Sequence, residues 1–391
     1  MKLQKLVLRS GGMLALSLLL LRPNVFAQRY IQTNLVSSIP GVGTNPTNPL
    51  DPQLVNSWGL TRSTTSPWWV ADNGAGLATI YNGAGNKAGL VVTIPPPKGG
   101  AGPSAPTGVV FNGTSDFMLG SSPAQFIFVT EDGTIAAWNG GTTATIVADN
   151  SKKGAVYKGC TIGELEGVGS HFLYVTNFHS GKIEVYDSSF QPVTLSPTAF
   201  DVNVIGTDPD RSKLVPFNVQ AIGTNVYVTY AKQDDMKHDD VKGPGLGGVV
   251  VFDTFGRRLA RLQQGDWFNA PWGIALAPGE FGEFSHSLLV GMFGSGQIAR
   301  FDADYGNFHG LLRSPDGLPI EIGKGLWGLG FGNGATAGPT NQLYFAADIV
   351  TTNGFHGVFG AFTPVQQSDD NEQGDDDQGD NDQGEDGGGD Q

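Results

Sequence analysis

One short pattern recurs along this chain and constrains its fold more than any other feature. An apolar strand opens with an aromatic-Gly pair, a second apolar strand ends at a polar turn, and a third strand alternates. The fullest copy is Asn269-Ala-Pro-Trp-Gly-Ile-Ala-Leu276, then Leu288-Leu-Val-Gly291, a turn from Met292 to Gly296, and Gln297-Ile-Ala-Arg-Phe-Asp302. The three-strand pattern can be traced about six times, with Trp-Gly at its opening in three copies. The opening glycines Gly59, Gly108, Gly159, Gly273 and Gly328 fall at a period of roughly 50 to 55 residues, one repeat without its glycine lying between Gly159 and Gly273. Three or four short strands per repeat at that spacing are the signature of propeller blades, each burying its faces on its neighbours. The 58 Gly and 23 Pro, with only 15% charged residues, fit an all-β chain rich in turns.

The sixth repeat, from Leu326 to Phe362, lacks a fourth strand. An orphan alternating segment, Tyr30 to Ser37, has no local partner and can supply it. The expected fold is therefore an all-β, six-bladed β-propeller of residues 28–365, closed by the N-terminal strand.

Segments outside the repeats carry their own expectations. Lys2, Lys5 and Arg9 precede an apolar run from Gly11 to Leu21, and Val25-Phe26-Ala27 offers a cleavage site before Gln28. This reads as a secretory signal peptide over residues 1–27, cleaved near Ala27, with the mature protein secreted into the periplasm or medium and not inserted in a membrane. The single cysteine, Cys160, allows no internal disulfide and reads as a buried thiol. The net charge is −14, and Asp369 to Asp390 holds eleven carboxylates with no Lys or Arg. Residues 366–391 read as a disordered acidic tail, with weak collective Ca2+ attraction as its alternative role. Nucleic acid is an unsuitable partner for such a chain, and the acidic balance favours a monomer.

Tyr30-Ile-Gln-Thr-Asn-Leu-Val36, Asp51-Pro-Gln-Leu-Val-Asn-Ser-Trp-Gly-Leu60, Trp69-Val-Ala-Asp-Asn-Gly74, Asn269-Ala-Pro-Trp-Gly-Ile274 and Leu326-Trp-Gly-Leu-Gly330 together carry a resemblance. The chain resembles a family of uncharacterised exported bacterial proteins with a YWTD/NHL-like propeller, over Tyr30 to Phe362. The resemblance implies the fold and export. It implies no reaction and no catalytic residues.

In an antiparallel four-stranded blade, the turns between second and third strands share one face with the entries into the first strands. That face surrounds the channel mouth. It should carry Asn56, Asp72, Glu131, Asn177, Asn218, Asn269 and Asp348, with Asn73, Asp132 and His179 beside them. Such oxygen donors from separate blades suit a hard cation, and Ca2+ is the one cofactor they suggest. The regucalcin and gluconolactonase propellers are similar in principle, holding one ion that polarises a lactone or ester carbonyl. Against this, Asp and Asn are ordinary turn residues.

The insertion from Ala231 to Pro244 in the fourth repeat should overhang the same face, as a solvated loop whose three lysines offset its acids. Trp58, Trp272 and Trp327 recur at one position and read as packing between blades. No HExxH, Gly-x-Ser-x-Gly or phosphate-cradling motif is present. The function expected is a secreted module that binds a small ligand or protein at the channel mouth. The alternative is a divalent-metal-dependent hydrolase of the lactonase or esterase type.

Overall fold

The computed structural model describes residues 29–42, 50–165, 167, 169–201, 214–323 and 325–365. The signal peptide and the acidic tail read from the sequence lie outside the described residues. Within them the chain forms a six-bladed propeller with only two 3-10 turns, Ser151–Lys153 and Gly282–Phe284. Among the described residues no helix is long and apolar enough to cross a membrane.

Five blades run in chain order from the innermost strand outward. Blade 1 is Ser57–Thr61, Trp68–Asp72, Leu77–Tyr81 and Val92–Thr93. Blade 2 starts at Pro106–Phe111, blade 3 at Tyr157–Glu164, blade 4 at Leu214–Ile222 and blade 5 at Pro271–Leu276. Blade 6 has Leu326–Phe331, Leu343–Thr351 and Gly354–Pro364, and its outer strand is Tyr30–Ser37. Tyr30 pairs with Pro364 and Ser37 with Val358, antiparallel, so the N-terminal strand closes the ring as expected. This pairing covers an edge that would otherwise expose unpaired backbone groups. Tyr30 also anchors the blade sideways: its ring packs on Phe281 and Phe284, and its hydroxyl donates to the Phe281 carbonyl at 2.9 Å.

Every innermost strand carries a register shift at the same place. The shifts fall at Ser57/Leu60, Pro106/Val109, Tyr157/Gly159, Pro216/Asn218, Pro271/Ile274 and Leu326/Leu329. A bulge re-aims side chains. Here it sits at the ring glycine and the residue before it, or at Phe217-Asn218 in blade 4, and it sets the glycine against the next blade. A Cβ on Gly59 would lie 2.5 Å from the Thr107 carbonyl, and one on Gly273 would lie 2.3 Å from the Trp327 carbonyl. The repeated glycine is thus a requirement of blade-to-blade contact around the axis.

The fourth repeat, which lacks the glycine, has Asn218 there. Asn218 Nδ2 donates to the Trp272 carbonyl at 2.8 Å, bonding blade 4 to blade 5. Thr107 and Thr176 make matching bonds, to the Tyr157 carbonyl at 2.8 Å and the Phe217 carbonyl at 3.0 Å. The waist of the channel narrows to a cavity of about 20 Å3 between these strands, room for about one water.

Cys160 lies in the innermost strand of blade 3, buried and free. Burial pushes its thiol well above the usual range.

Candidate functional site

The residues just before the ring glycines, or before Asn218 in blade 4, are Trp58, Thr107, Lys158, Phe217, Trp272 and Trp327. Trp58, Phe217, Trp272 and Trp327 meet in one cluster, whereas Thr107 bonds the Val129 and Tyr157 carbonyls. Trp58 and Trp327 stack with centroids 3.4 Å apart, and Trp272 meets both edge-on at 6.4 and 5.8 Å. Phe293 stacks on Trp327 at 3.9 Å, and Val156, Phe178, Phe217, Ala231 and Ala270 complete the buried cluster. The tryptophans therefore pack between blades, as the sequence suggested, and together they form a plug at the channel.

One member of this ring is charged. Lys158 is 1% exposed. Its ammonium lies over the Trp58 ring at 5.1 Å and over Phe178 at 5.7 Å. Burying a cation demands pairing, and the mouth supplies it. Lys158 Nζ donates to Glu131 Oε1 and lies 3.3 Å from Asp239 Oδ1. Burial opposes ionisation of Asp239, but Lys158 and His238 outweigh it and hold the carboxyl below its ordinary value.

From Glu131 a chain of amides runs back to the plug. Asn73 Nδ2 donates to Glu131 Oε2 at 2.7 Å, Asn56 Nδ2 donates to Asn73 Oδ1 at 2.9 Å, and Trp58 Nε1 donates to Asn56 Oδ1 at 3.0 Å. Asn56 and Glu131, both expected at the mouth, are thus brought into one network, with Asn73 between them.

The blade 4 insertion does overhang the mouth, and it is more ordered than a solvated loop. Lys232 and Gln233 at the end of Asn225–Gln233 pair with Val241 and Asp240, extending the hairpin. Gly243 N donates to Asn269 Oδ1 at 2.7 Å, so Asn269 pins the insertion to blade 5. Lys242 then lies with its ammonium 3.9 Å from the Phe293 centroid. Asp240, half-buried, and Asp348, buried, lie nearby. Burial pushes Asp240 up to about 6, against the pull of Lys242 and Lys158. It pushes Asp348, 3% exposed, up to about 7, again against Lys242.

The remaining expected residues have other duties. Asp72 is buried in blade 1 and accepts from the Thr79 amide and hydroxyl at 3.0 and 2.8 Å; burial raises it well above the carboxylate range. Asn177 caps its own turn through the Val156 and Ser180 amides and donates to Glu184 at 2.7 Å. Asn218 lies in the waist. Asp132 accepts the Ala105 amide at 2.8 Å. A groove of about 750 Å3 lies at blade 3 beside Glu184 and Tyr186, and neither Lys158, Glu131 nor Asp239 lines it.

Lys158 was not singled out from the sequence, though a signal existed. Aligning the repeats on their glycines shows a lysine where three copies have Trp.

No protein-family model matches the chain. An uncharacterized protein of Acanthamoeba polyphaga mimivirus is 31% identical over 289 residues, spanning 71% of this chain and 74% of that protein. The chain belongs to that family. A second uncharacterized mimivirus protein of the family is 29% identical over 332 residues, 82% of this chain and 78% of its own. A crystal structure of a protein of unknown function from Bacteroides thetaiotaomicron covers 86% of this chain and 76% of its own at 11% identity, with a TM-score of 0.51. That likeness extends to the fold alone.

Proposed function

We propose that this protein is an exported, monomeric propeller that acts as a binding module, holding a small ligand or a protein partner on the channel-mouth face. The observation that supports this reading is the buried Lys158, set into an aromatic ring and tied by Glu131 and Asp239 to an insertion from another blade. A buried ion pair is weak as a source of stability compared with well-packed apolar groups. An aromatic plug with one more apolar residue in place of Lys158 would close the channel as well. The waist holds no more than about one water, so the mouth is a dead-end surface and not a passage.

A full-chain thermal-shift screen of cations, amines, sugars and organic acids tests the reading. A ligand should raise the melting temperature of the wild type and lose that effect in Asp239→Asn and Glu131→Gln. It should keep the effect in Asp316→Asn, a substitution in the exposed loop near Arg313. Ligand shifts indifferent to the mouth substitutions would overturn the reading. The mature N-terminus of the exported chain tests the leader, with Gln28 expected first.

A metal-dependent hydrolase is the second reading. Glu131, His238 and Asp239 favour it, because their ligand atoms lie within 4.8 Å of one another. The fit to Ca2+ is poor. A calcium ion takes six to eight oxygens at about 2.3–2.6 Å, whereas this group offers two carboxylates and one imidazole, and Lys158 already pairs with both carboxylates, Glu131 and Asp239. An ammonium in that position competes with a metal for the same oxygens.

A further inference from the structure

Beside the Lys158 network, the mouth has a second compartment. It is an open depression of about 610 Å3 lined by Lys242, Gly243, Asn269, Gly294, Ser295, Glu321 and Gly323, between blades 4, 5 and 6. Asp240 Oδ2 and Ser295 Oγ are buried in this neighbourhood without a hydrogen-bond partner, while Trp327 Nε1 and Asp348 Oδ1 make no well-formed bond although the indole lies close enough to draw the Asp348 carboxyl down. Such atoms are costly to leave unmade and call for an explanation. Asp348 is almost wholly buried, and Gly325 makes room for it, since a Cβ there would fall 1.3 Å from Oδ1.

The chain itself shows what these groups attract. The Lys242 ammonium sits on the Phe293 face at 3.9 Å, and Phe293 in turn stacks on Trp327 at 3.9 Å. Lys242 is also the leading counter-charge to both Asp240 and Asp348. An aromatic face flanked by carboxylates is the chemistry that selects an organic cation. Lys242 reaches it from an insertion held by one short strand pair, the Asn269 bond, the Lys158–Asp239 pair and a Gln233 bond to the Phe178 carbonyl.

We propose that this compartment is a recognition site for an alkylammonium ion, and that Lys242 fills it as an internal stand-in that the ligand displaces. The proposal rests on the mouth being the binding face. The ammonium group comes either from a free amine or from a lysine side chain of a peptide. Either ligand binds the wild type more weakly than a chain without Lys242, because the competent state is only a fraction of the population.

The test titrates n-propylammonium, the piece that Lys242→Ala removes, into the full chain with tryptophan fluorescence as the readout. Lys242→Ala should bind it about tenfold or more tighter than the wild type, and Lys242→Ala with Asp348→Asn should lose about tenfold again, the scale of a desolvated cation–aromatic contact with its counter-ion. A lysine-containing peptide run in parallel distinguishes the two sources. Equal binding by wild type and Lys242→Ala, or indifference to Asp348→Asn, overturns the proposal.

A second measurement needs no variant. Acetylation of Lys242 in the wild type, followed by peptide mass spectrometry, should accelerate with tetramethylammonium chloride relative to sodium chloride at equal ionic strength. An unchanged rate overturns displacement. Should the screen above find another ligand at the mouth while no amine binds, the ammonium assignment falls and the binding-module reading stands. Should both come back empty, both fall.

Discussion

Lys158 holds the most exacting position among the side chains at the mouth. Removing its charge strands Glu131 against the aromatic plug, next to the Asn73 amide that still donates to it. Lys158→Met should therefore lower stability by about 3 kcal/mol, the cost of breaking a buried pair from one side, read by urea unfolding. The same substitution frees Glu131, Asp239 and His238 for a cation, so excess Ca2+ or Zn2+ over EDTA should raise the melting temperature of the variant more than that of the wild type. Equal shifts would show that the lysine does not compete with metal.

Asp348 gives a pH signature. Burial pushes its carboxyl up to about 7 in the folded state, above the ordinary 3.8. The folded state thus holds a proton that the unfolded state has lost, and the group stabilises the protein less as pH rises from about 4 to 7. Asp348→Asn, which removes that ionisation, should raise the melting temperature at pH 8 relative to wild type and change it little at pH 4. A gain at pH 4 equal to that at pH 8 would contradict the assignment. Cys160 should resist thiol reagents in the native protein and react only on unfolding, since it is buried and its thiol is pushed upward.

At the scale of elements, the bulged innermost strands and the closing strand carry the architecture. Gly273→Ala places a methyl 2.3 Å from a backbone carbonyl of the neighbouring blade. Neither strand can withdraw without disturbing its own ladder, so a loss of about 3 kcal/mol is expected, at the upper end for overpacking. Deleting residues 29–37 should cost far more than their length suggests. It exposes the Gly354–Pro364 edge and removes Tyr30 from Phe281 and Phe284; the measured outcome should be aggregation or the loss of a cooperative melt. The blade 4 insertion is an element of a different kind, because its strand pair with Lys232 and Gln233 aims it at the mouth instead of adding to the core.

For the whole molecule, much of the design was legible in the sequence because it repeats. The aromatic-Gly pairs, the apolar second strands and the partnerless Tyr30–Ser37 strand are local patterns with one shared solution, a ring of six blades closed at its ends. The mouth was legible only as a face. Turn residues announce where they lie along the chain, so Asn56, Glu131 and Asn269 could be placed there. Their partners could not be read, because Asn177 and Asp72 spend their hydrogen bonds inside their own blades. By itself the sequence determined the period, the blade count and the closing strand, since these follow from local alternation and from glycines that permit close approach. Only the tertiary structure decided that Lys158 and Lys242, more than a blade apart along the chain, meet one aromatic plug. Ring closure brings the blades to a common axis, and the distances across that axis have no counterpart in sequence spacing.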